Sequence, residues 1–352
     1  MTTKNVQLSR RLFELHPAQQ NVYFEQLIHP DSPMHNIGLY TDGERPLQLD
    51  ILQRSWALLY QHMDALRLTF CQGDDGMVMQ SVKPSDSHCQ VAKFIDFSDH
   101  RQPLQSAKQW MQQQLDTPMD YLGGQTCTIA LVQLSAEKSL IFNCFHHLNI
   151  DGVGFYVLHH WLYRVYETLA AGEQTGERLA ELTADLEQVP QYIDSVQLAH
   201  KYLESDRYQQ DKRHWRDFVS DKPVLRLTPV ASRVESRVES RAEKVLDTEI
   251  ITQALDKPTS DAIRVFCKEY RVSPLSLLIA VGAVYFNKIT GQPNQLLGTA
   301  MHGRKGKQQM GVIGMFSNPM LVSCHVKNNS TFVQLSKAVS NELRCNLRHR
   351  LR

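Results

Sequence analysis

The stretch "FNCFHHLNIDGVGF", residues 142–155, carries the pattern on which the fold depends. It begins inside the apolar run "KSLIFNCFHH" (138–147), which predicts a β-strand. The run before it, "QTCTIALVQL" (125–134), predicts a second strand, and the short link "SAE" between the two predicts an antiparallel hairpin. After Gly154, an apolar stripe at helical spacing predicts an α-helix, with Phe155, Leu158, Trp161, Leu162, Val165 and Leu169 on one face.

Four candidate functional residues lie between the end of this strand and the start of this helix: His146, His147, Asp151 and Gly152. Loops held by a rigid scaffold are where catalytic groups concentrate. A single buried histidine is more often a hydrogen-bonded core residue, and adjacent histidines of a strand point to opposite faces, so that only one can serve a given site. On a strand that stays extended, His147 shares a face with Ile141, Asn143 and Phe145.

An arginine earlier in the chain is a candidate partner for the aspartate. The segment "HMDALRLTF" (62–70) predicts a strand that carries Arg67 on its non-core face, and "GMVMQSVK" (76–83) predicts its hairpin partner. The guanidinium can bind a carboxylate with two parallel hydrogen bonds. We therefore predict that Arg67 pairs with Asp151, which fixes the loop and leaves His147 available to a substrate.

Composition excludes several classes of function. The chain has 352 residues and a net charge of +1, which favours neither nucleic acid nor an anionic membrane as a partner. No apolar run approaches the roughly 20 residues that span a bilayer, and the N-terminus has no secretory pattern, so the sequence predicts a cytoplasmic protein. Seven scattered cysteines without a CxxC pair predict free thiols. A metal site at Asp151 is disfavoured, because the sequence shows no third ligand near it.

The length and the order of patterns predict two domains, 1–175 and 176–352. The repetitive segment 231–243, which includes "SRVESRVESRAE", predicts a solvated linker because it lacks an apolar stripe. The strongly apolar segment 273–291 predicts a buried helix of the second domain, and the stretches 294–304 and 320–327 predict strands near it.

Several motifs together resemble a known family. "HHLNIDG" resembles the HHxxxDG signature of nonribosomal peptide synthetase condensation domains. Further stretches resemble other motifs of that family in the same order along the chain. They are "LHPAQQNVYFEQ" (15–26, with His16 and Tyr23 as departures), "HMDALRLTF" (62–70, in part), "YIDSVQ" (192–197), "MHGR" (301–304) and "IGMFSNP" (313–319). Within that family, the sequence is most similar in character to the first condensation domains of siderophore synthetases such as the enterobactin type.

The resemblance implies a fold of the α/β (α+β) class: two chloramphenicol-acetyltransferase-like lobes in a V-shaped pseudo-dimer with a tunnel between them. The second lobe is expected to be truncated, because the family continues with an HQxxPF-type motif and further strands. The chain is then expected to be a fragment of a longer synthetase subunit, or to associate, since part of the apolar face of 273–289 should lie open.

The resemblance also implies an activity, partners and residue roles. Donor and acceptor peptidyl or aryl carrier proteins bring substrates on 4'-phosphopantetheine, adenylation domains belong to the same assembly line, and the domain itself binds no cofactor or metal. His147 would orient the acceptor amine or accept its proton, and a backbone N–H near Gly152 would hold the oxyanion. His146, Asp151 and Arg67 would maintain the motif. Arg304 and Asn318 would lie along the tunnel or at the lobe interface.

Two other functions stay open at this point. One is a free-standing acyltransferase that uses coenzyme A or a carrier, and the other is a non-catalytic module on which carrier proteins dock. Heterocyclisation is disfavoured because those domains replace both histidines of the motif with aspartate. The donor could be aryl, acyl or aminoacyl, since one sequence does not locate the residues that line a tunnel.

Overall fold

The computed structural model describes residues 11–43, 46–73, 76–124, 126–172, 176–220, 222 and 252–349. The predicted linker 231–243 lies outside the described residues. The chain divides into two compact units. Unit 1 holds the chain up to Glu204 and the later segment His302–Ser317, and unit 2 holds Ser205–Met301 and the segment that starts at Asn318.

Unit 1 combines strands and helices. Its strands are β1 (Phe13–Glu14), β2 (Asn36–Asp42), β3 (Leu68–Gln72), β4 (Val78–Val82), β5 (Lys93–Asp96), β6 (Cys127–Ser135) and β7 (Lys138–His146). Its helices are α1 (Pro17–Ile28), α2 (Leu49–His62), α3 (Pro103–Asp116), α4 (Gly152–Ala170), α5 (Gly176–Glu187), α6 (Tyr192–Leu203) and, after the excursion into unit 2, α10 (Gly306–Met310).

Two sheets organise unit 1. One has the order β2-β7-β6-β5 and is antiparallel except for the parallel pair β5–β6, and the other has the order β1-β4-β3. β6 and β7 form the hairpin that the sequence predicts, with Cys127 opposite Phe145 in register. β3 and β4 also pair as predicted, with Leu68 opposite Val82.

Both faces of the four-stranded sheet are covered. The sequence of β7 is therefore a nearly continuous apolar run, because residues on either face are buried. On one face Phe145 packs with Trp56 of α2 and Phe155 of α4 in the larger core. On the other face Phe142 packs with Trp110 of α3. The last residue of β7 is thereby held between two packed layers, which gives the loop that follows a rigid base.

Unit 2 contains the helices α7 (Asp206–Ser220), α8 (Lys257–Tyr270), α9 (Pro274–Thr290) and α11 (Phe332–Asn346) and the antiparallel pair β8 (Asn294–Met301) and β9 (Asn318–His325). α9 confirms the predicted helix at 273–291, begins with Ser273 as its N-cap and ends at Gly291 in the left-handed region. Its Ala280 and Ala283 are buried against β9 and α11, whereas Leu278, Tyr285 and Ile289 are exposed. The expected open apolar face is present on this helix.

The observed mixture of helices and sheets confirms the predicted α/β class. The domain limits at 175 and 176, the V-shaped arrangement and the truncation of a second lobe stay predictions. Within the described residues no single helix is long and apolar enough to cross a membrane, and α8 and α9 reach that length only as a pair bent by 103°.

Candidate functional site

The motif loop begins one residue earlier than the sequence predicts. β7 ends at His146, and His147 starts a turn in which the backbone N–H of Asn149 donates to the carbonyl of His146 at 3.0 Å. The N–H of His147 donates to the carbonyl of His35 at 2.7 Å. The expectation that His147 shares a strand face with Phe145 is therefore wrong, because the strand does not extend through His147.

His146 is a buried, neutral part of the scaffold. Its Nδ1 accepts a hydrogen bond from the backbone N–H of Leu148 at 3.2 Å, which leaves Nε2 as the protonated nitrogen, 3.4 Å from Oε1 of Gln26. Burial, with His35 and His147 nearby, lowers the pKa of His146 to about 3. The imidazole therefore stays uncharged at neutral pH and holds the turn in shape.

His147 differs from its neighbour in being only half-buried. Its Nδ1 is buried and has no hydrogen-bond partner among the residues that the structure describes. Of the two motif histidines, His147 is therefore the one with both accessible surface and unused hydrogen-bonding capacity, and it is the better candidate to meet a substrate.

Asp151 is fully buried and receives five hydrogen bonds. As the N-cap of α4, it accepts at Oδ1 from the N–H of Gly154 at 2.8 Å. Oδ2 accepts from Nη1 of Arg304 at 2.7 Å, from the N–H groups of Phe316 and Ser317 at 3.0 and 3.1 Å, and from Oγ of Ser317 at 3.2 Å. Both oxygens of the carboxylate accept hydrogen bonds inside the protein and the side chain is fully buried, so it acts on the loop and not on a ligand.

The prediction that Asp151 pairs with Arg67 is wrong. Its cationic partner is Arg304, whose side chain is also fully buried. Arg67 lies at the end of the 3₁₀ turn Asp64–Arg67, which precedes β3, and it donates from Nη1 to the carbonyl of Lys83 at 2.6 Å. The sequence pattern placed Arg67 in a strand directed at the loop, but the turn directs its side chain to the end of β4.

Arg304 ties the motif loop to the segment 312–317. Its Nη2 donates to the carbonyls of Val312 and Gly314 at 3.1 and 3.2 Å, and its guanidinium lies 4.3 Å from the ring centroid of Phe316. The N–H of Asp151 donates to the same Gly314 carbonyl at 3.2 Å. "MHGR" and "IGMFSNP" thus meet "HHLNIDG" in one buried network.

Gly314 is required by close packing in this network. A Cβ built on Gly314 would lie 2.1 Å from the ring of Tyr192. Tyr192 donates from its hydroxyl to the carbonyl of Met315 at 2.8 Å, and its own N–H donates to the carboxylate of Asp64 at 2.7 Å. Burial raises the pKa of the Tyr192 phenol well above its ordinary value, so the phenol stays protonated.

The remaining predicted residues take different positions. Gly152 is exposed at the first position of α4, where a backbone N–H has no acceptor within the helix, and an added Cβ would meet nothing within 4 Å. Asn318 is the first residue of β9 in unit 2. The structure therefore brings together His146, His147, Asp151, Gly152 and Arg304 in unit 1. Within the described residues no group of three histidine, cysteine or acidic side chains could hold a metal ion.

Comparison with known proteins now bears on this geometry. The family model described as "Condensation domain" matches residues 9–351. The chain belongs to the condensation domain family. The resemblance seen in the ordered motifs is confirmed, and it includes the segments that meet at Asp151.

A curated relative and two solved structures show how far the likeness extends. The dimodular nonribosomal peptide synthase of Bacillus subtilis is 27% identical over 352 residues, which cover 99% of this chain but 14% of the relative's length. The first condensation domain of the calcium-dependent antibiotic synthetase, in complex with a substrate analogue, has a TM-score of 0.82 at 21% identity, covering 96% of this chain and 76% of that one. A variant of the starter condensation domain of rhizomide synthetase, in complex with C8-CoA, has a TM-score of 0.80 at 21% identity, covering 97% of this chain and 72% of that one.

These comparisons show that the chain is a condensation domain homologous to those of nonribosomal peptide synthetases, with their mixed α/β fold. The solved structures are similar to this chain in fold at 21% identity. The siderophore assignment stays a prediction.

Proposed function

We propose that this condensation domain joins an acyl or aminoacyl thioester donor to the amine of an aminoacyl acceptor and forms an amide. Both substrates arrive on the 4'-phosphopantetheine arms of donor and acceptor carrier proteins, and adenylation domains of the same assembly line load those carriers. Membership of the family and the description of the relative as a nonribosomal peptide synthase support this proposal.

One observation carries the proposal: His147 stands half-exposed in a turn whose two ends are both immobilised. Before it, His146 is buried and hydrogen-bonded at the end of β7, and after it Asp151 caps α4 and bonds Arg304. A side chain that must meet two incoming substrates gains from such preorganisation, because little reorganisation is left for the reaction itself.

The proposed chemistry is an aminolysis. The acceptor nitrogen attacks the thioester carbon, the C–N bond forms, and the tetrahedral adduct collapses with cleavage of the C–S bond. His147 orients the amine, accepts the proton that leaves the nitrogen as the adduct forms, and returns it to the departing thiolate. The atoms balance with an amide and a free phosphopantetheine thiol as products.

Magnitudes indicate that positioning is the larger contribution. An α-amine has a pKa of about 7.7 to 8.0, so roughly 10 to 17% of it is already neutral at pH 7, and freeing the nucleophile costs only about 1 to 1.4 kcal/mol. Holding amine and thioester together can contribute about 7 to 11 kcal/mol. Proton transfer through His147 would add a factor of about 10²–10⁴.

The start of α4 offers a place for the developing oxyanion. The N–H of Gly152 is one of the first four of the helix, which point out of the helix and carry its positive end. Open space around Gly152 allows a thioester oxygen to approach that N–H. Arg304 acts as a positioning residue through Asp151, and Asn318 is proposed to lie along the substrate path.

A second candidate is an acyltransferase that takes its donor from coenzyme A. The observation that favours it is the starter condensation domain of rhizomide synthetase, which has been solved with C8-CoA. The same donor acyl group offered once on coenzyme A and once on a carrier protein separates the two candidates by the relative rates of amide formation.

The test of the proposed role compares His147→Ala with His160→Ala, an exposed histidine of α4. Aryl, acyl and aminoacyl donors on carriers are incubated with aminoacyl carriers, and the amide is quantified by mass spectrometry. His147→Ala is expected to slow condensation by about 10²–10⁴ without a change in melting temperature, and His160→Ala to leave the rate unchanged. A folded His147→Ala protein that condenses at the wild-type rate would refute the assignment.

A further inference from the structure

A cavity of about 370 Å³ lies in unit 1, between the ends of β3 and β4 and the start of β6. Arg67, Lys83 and His88 contribute cationic or protonatable groups to its wall, and none of the described residues that line it is acidic. Its apolar wall includes Leu66 and Leu68. This cavity has no part in the proposed condensation. Arg67, which does not pair with Asp151, is one of its lining residues.

Two hydrogen bonds join Arg67 to Lys83. The N–H of Lys83 donates to the carbonyl of Arg67 at 3.0 Å, and Nη1 of Arg67 donates to the carbonyl of Lys83 at 2.6 Å. The guanidinium orientation is thus fixed by backbone that no side-chain substitution removes. Both residues line the same cavity, so their cationic side chains are available to one anion.

The arginine has donor capacity that the protein leaves unused. Nε of Arg67 is buried and has no hydrogen-bond partner among the described residues. The charge of Asp64 acts on Arg67, but its two oxygens accept from the N–H groups of Tyr192 and Ile193 at 2.7 and 2.8 Å, and it forms no ion pair with Arg67 among the described residues. Burial lowers the pKa of Arg67, and Asp64 and Tyr60 oppose that effect.

Lys83 lines the cavity together with Cys127. Burial raises the pKa of the Cys127 thiol to about 12, and the charge of Lys83 opposes that effect. Neither Lys83 nor His88 forms an ion pair with any residue that the structure describes. His88 is exposed, so it stands where the cavity opens to solvent.

We propose that this cavity binds a small organic anion, a carboxylate or a phosphate ester carried on an apolar body. The fork of Arg67 and the point charge of Lys83 would hold the anionic head. Leu66, Leu68 and the Tyr60 ring would pack against the body. The volume is at the small end of the range for ligand sites, which favours a ligand of about one ring.

The test measures binding of phenyl phosphate and benzoate by titration calorimetry at constant ionic strength in sodium chloride. Benzyl alcohol serves as the uncharged probe and inorganic phosphate as the probe without an apolar body. Lys83→Met is compared with Lys108→Met, which removes the same charge from an exposed position on α3 outside the cavity wall. At least one of the two aromatic anions is expected to bind wild type, and to bind Lys83→Met about tenfold or more weakly, with no change in Lys108→Met.

The stronger of the two aromatic anions identifies the head group as carboxylate or phosphate. Arg67→Lys, which keeps the charge and loses the fork, is expected to weaken the preferred anion as well, and equal melting temperatures exclude unfolding as the cause. Absence of binding by both aromatic anions, equal binding by Lys83→Met, or tighter binding of inorganic phosphate than of phenyl phosphate would each overturn the proposal.

Discussion

Arg304 and Arg67 provide the same functional group in two places of unit 1, and the two places treat it differently. Arg304 is fully buried, bonded to a carboxylate and three carbonyls, and stacked on Phe316. Arg67 is half-buried, bonded to the carbonyl of Lys83, and lies beside a second cation. Nε of each arginine has no hydrogen-bond partner among the described residues, so the difference lies in the counter-ion: Arg304 contacts a carboxylate and Arg67 does not.

The difference gives a criterion for distinguishing a structural cation from a ligand-binding cation in this protein: whether the protein supplies its counter-ion. A buried charge is tolerated when the protein supplies both the counter-ion and the hydrogen bonds, as Asp151 does for Arg304. Around Arg67 the Asp64 carboxylate accepts from backbone N–H groups and forms no ion pair with the guanidinium among the described residues, which leaves that place to an anion from outside.

The largest effect is expected when the buried pair of Asp151 and Arg304 loses one partner. Asp151→Ala and Arg304→Met each leave an uncompensated buried charge and should lower the free energy of unfolding by about 3–5 kcal/mol. Arg67→Met, the matched change at the other arginine, removes one hydrogen bond and should cost only about 1 kcal/mol. Urea unfolding followed by circular dichroism measures all three.

A double variant sharpens the same test. Asp151→Ala combined with Arg304→Met should cost clearly less than the sum of the two single changes, because the second substitution removes the charge that the first leaves unpaired. Additive costs, or a loss in Arg67→Met as large as that in Arg304→Met, would contradict the distinction between the two arginines.

Two glycines distinguish the packed side of the network from its open side. Gly314→Ala forces a methyl group into the Tyr192 ring, so a loss of roughly 1–3 kcal/mol is expected from overpacking. Gly152→Ala meets nothing within 4 Å and should change stability by less than about 1 kcal/mol. Thermal unfolding of both variants decides the point, and similar melting temperatures would show that the contact with Tyr192 relaxes freely.

A smaller effect is expected from His159 on α4, which resembles Arg67 in having a buried nitrogen without a hydrogen-bond partner among the described residues. Both ring nitrogens of this buried histidine are without hydrogen bonds among the described residues, and burial lowers its pKa to about 4. The unfolded chain, with a pKa of about 6.5, therefore binds more protons between pH 6.5 and about 4. Stability is complete above that window and falls as the pH drops through it, by about 2 kcal/mol at pH 5.

His159→Leu should remove this part of the acid sensitivity, and the exposed neighbour provides the control as His160→Gln. Unfolding free energies at pH 7.5 and pH 5 are compared for wild type and both variants. The wild-type loss should shrink in His159→Leu and persist in His160→Gln. An unchanged loss in His159→Leu would mean that this imidazole becomes solvated or finds a partner when it is protonated.

Much of the local structure follows from the sequence because it depends on near neighbours. The hairpin of β6 and β7, the helix after the motif and the capped helix at 273–291 each result from apolar spacing, a short link or a terminal glycine. The end of β7 could be located only to within a residue, since the carbonyl of His35 that holds the N–H of His147 belongs to a distant segment.

The partner of Asp151 could not be derived from spacing. Arg67 and Arg304 both stand in motifs, and either guanidinium suits the carboxylate. The choice depends on a 3₁₀ turn at Asp64–Arg67 and on the return of 302–317 to unit 1, which are set by tertiary packing. The ordered motifs contained the useful signal, because segments far apart in the chain that define one family can meet at one buried group.

The hydrogen-bond network at Asp151 is also assembled in a fixed order during translation. Its arginine follows it by 153 residues, and four of its five donors come from residues 304–317. At a synthesis rate of about 5–20 residues per second, roughly 8–30 s pass before Arg304 is added. During that interval the nascent chain already contains β7, the motif loop and α4, while their central carboxylate lacks its counter-ion. The earliest part of the site to be translated is among the last to be completed.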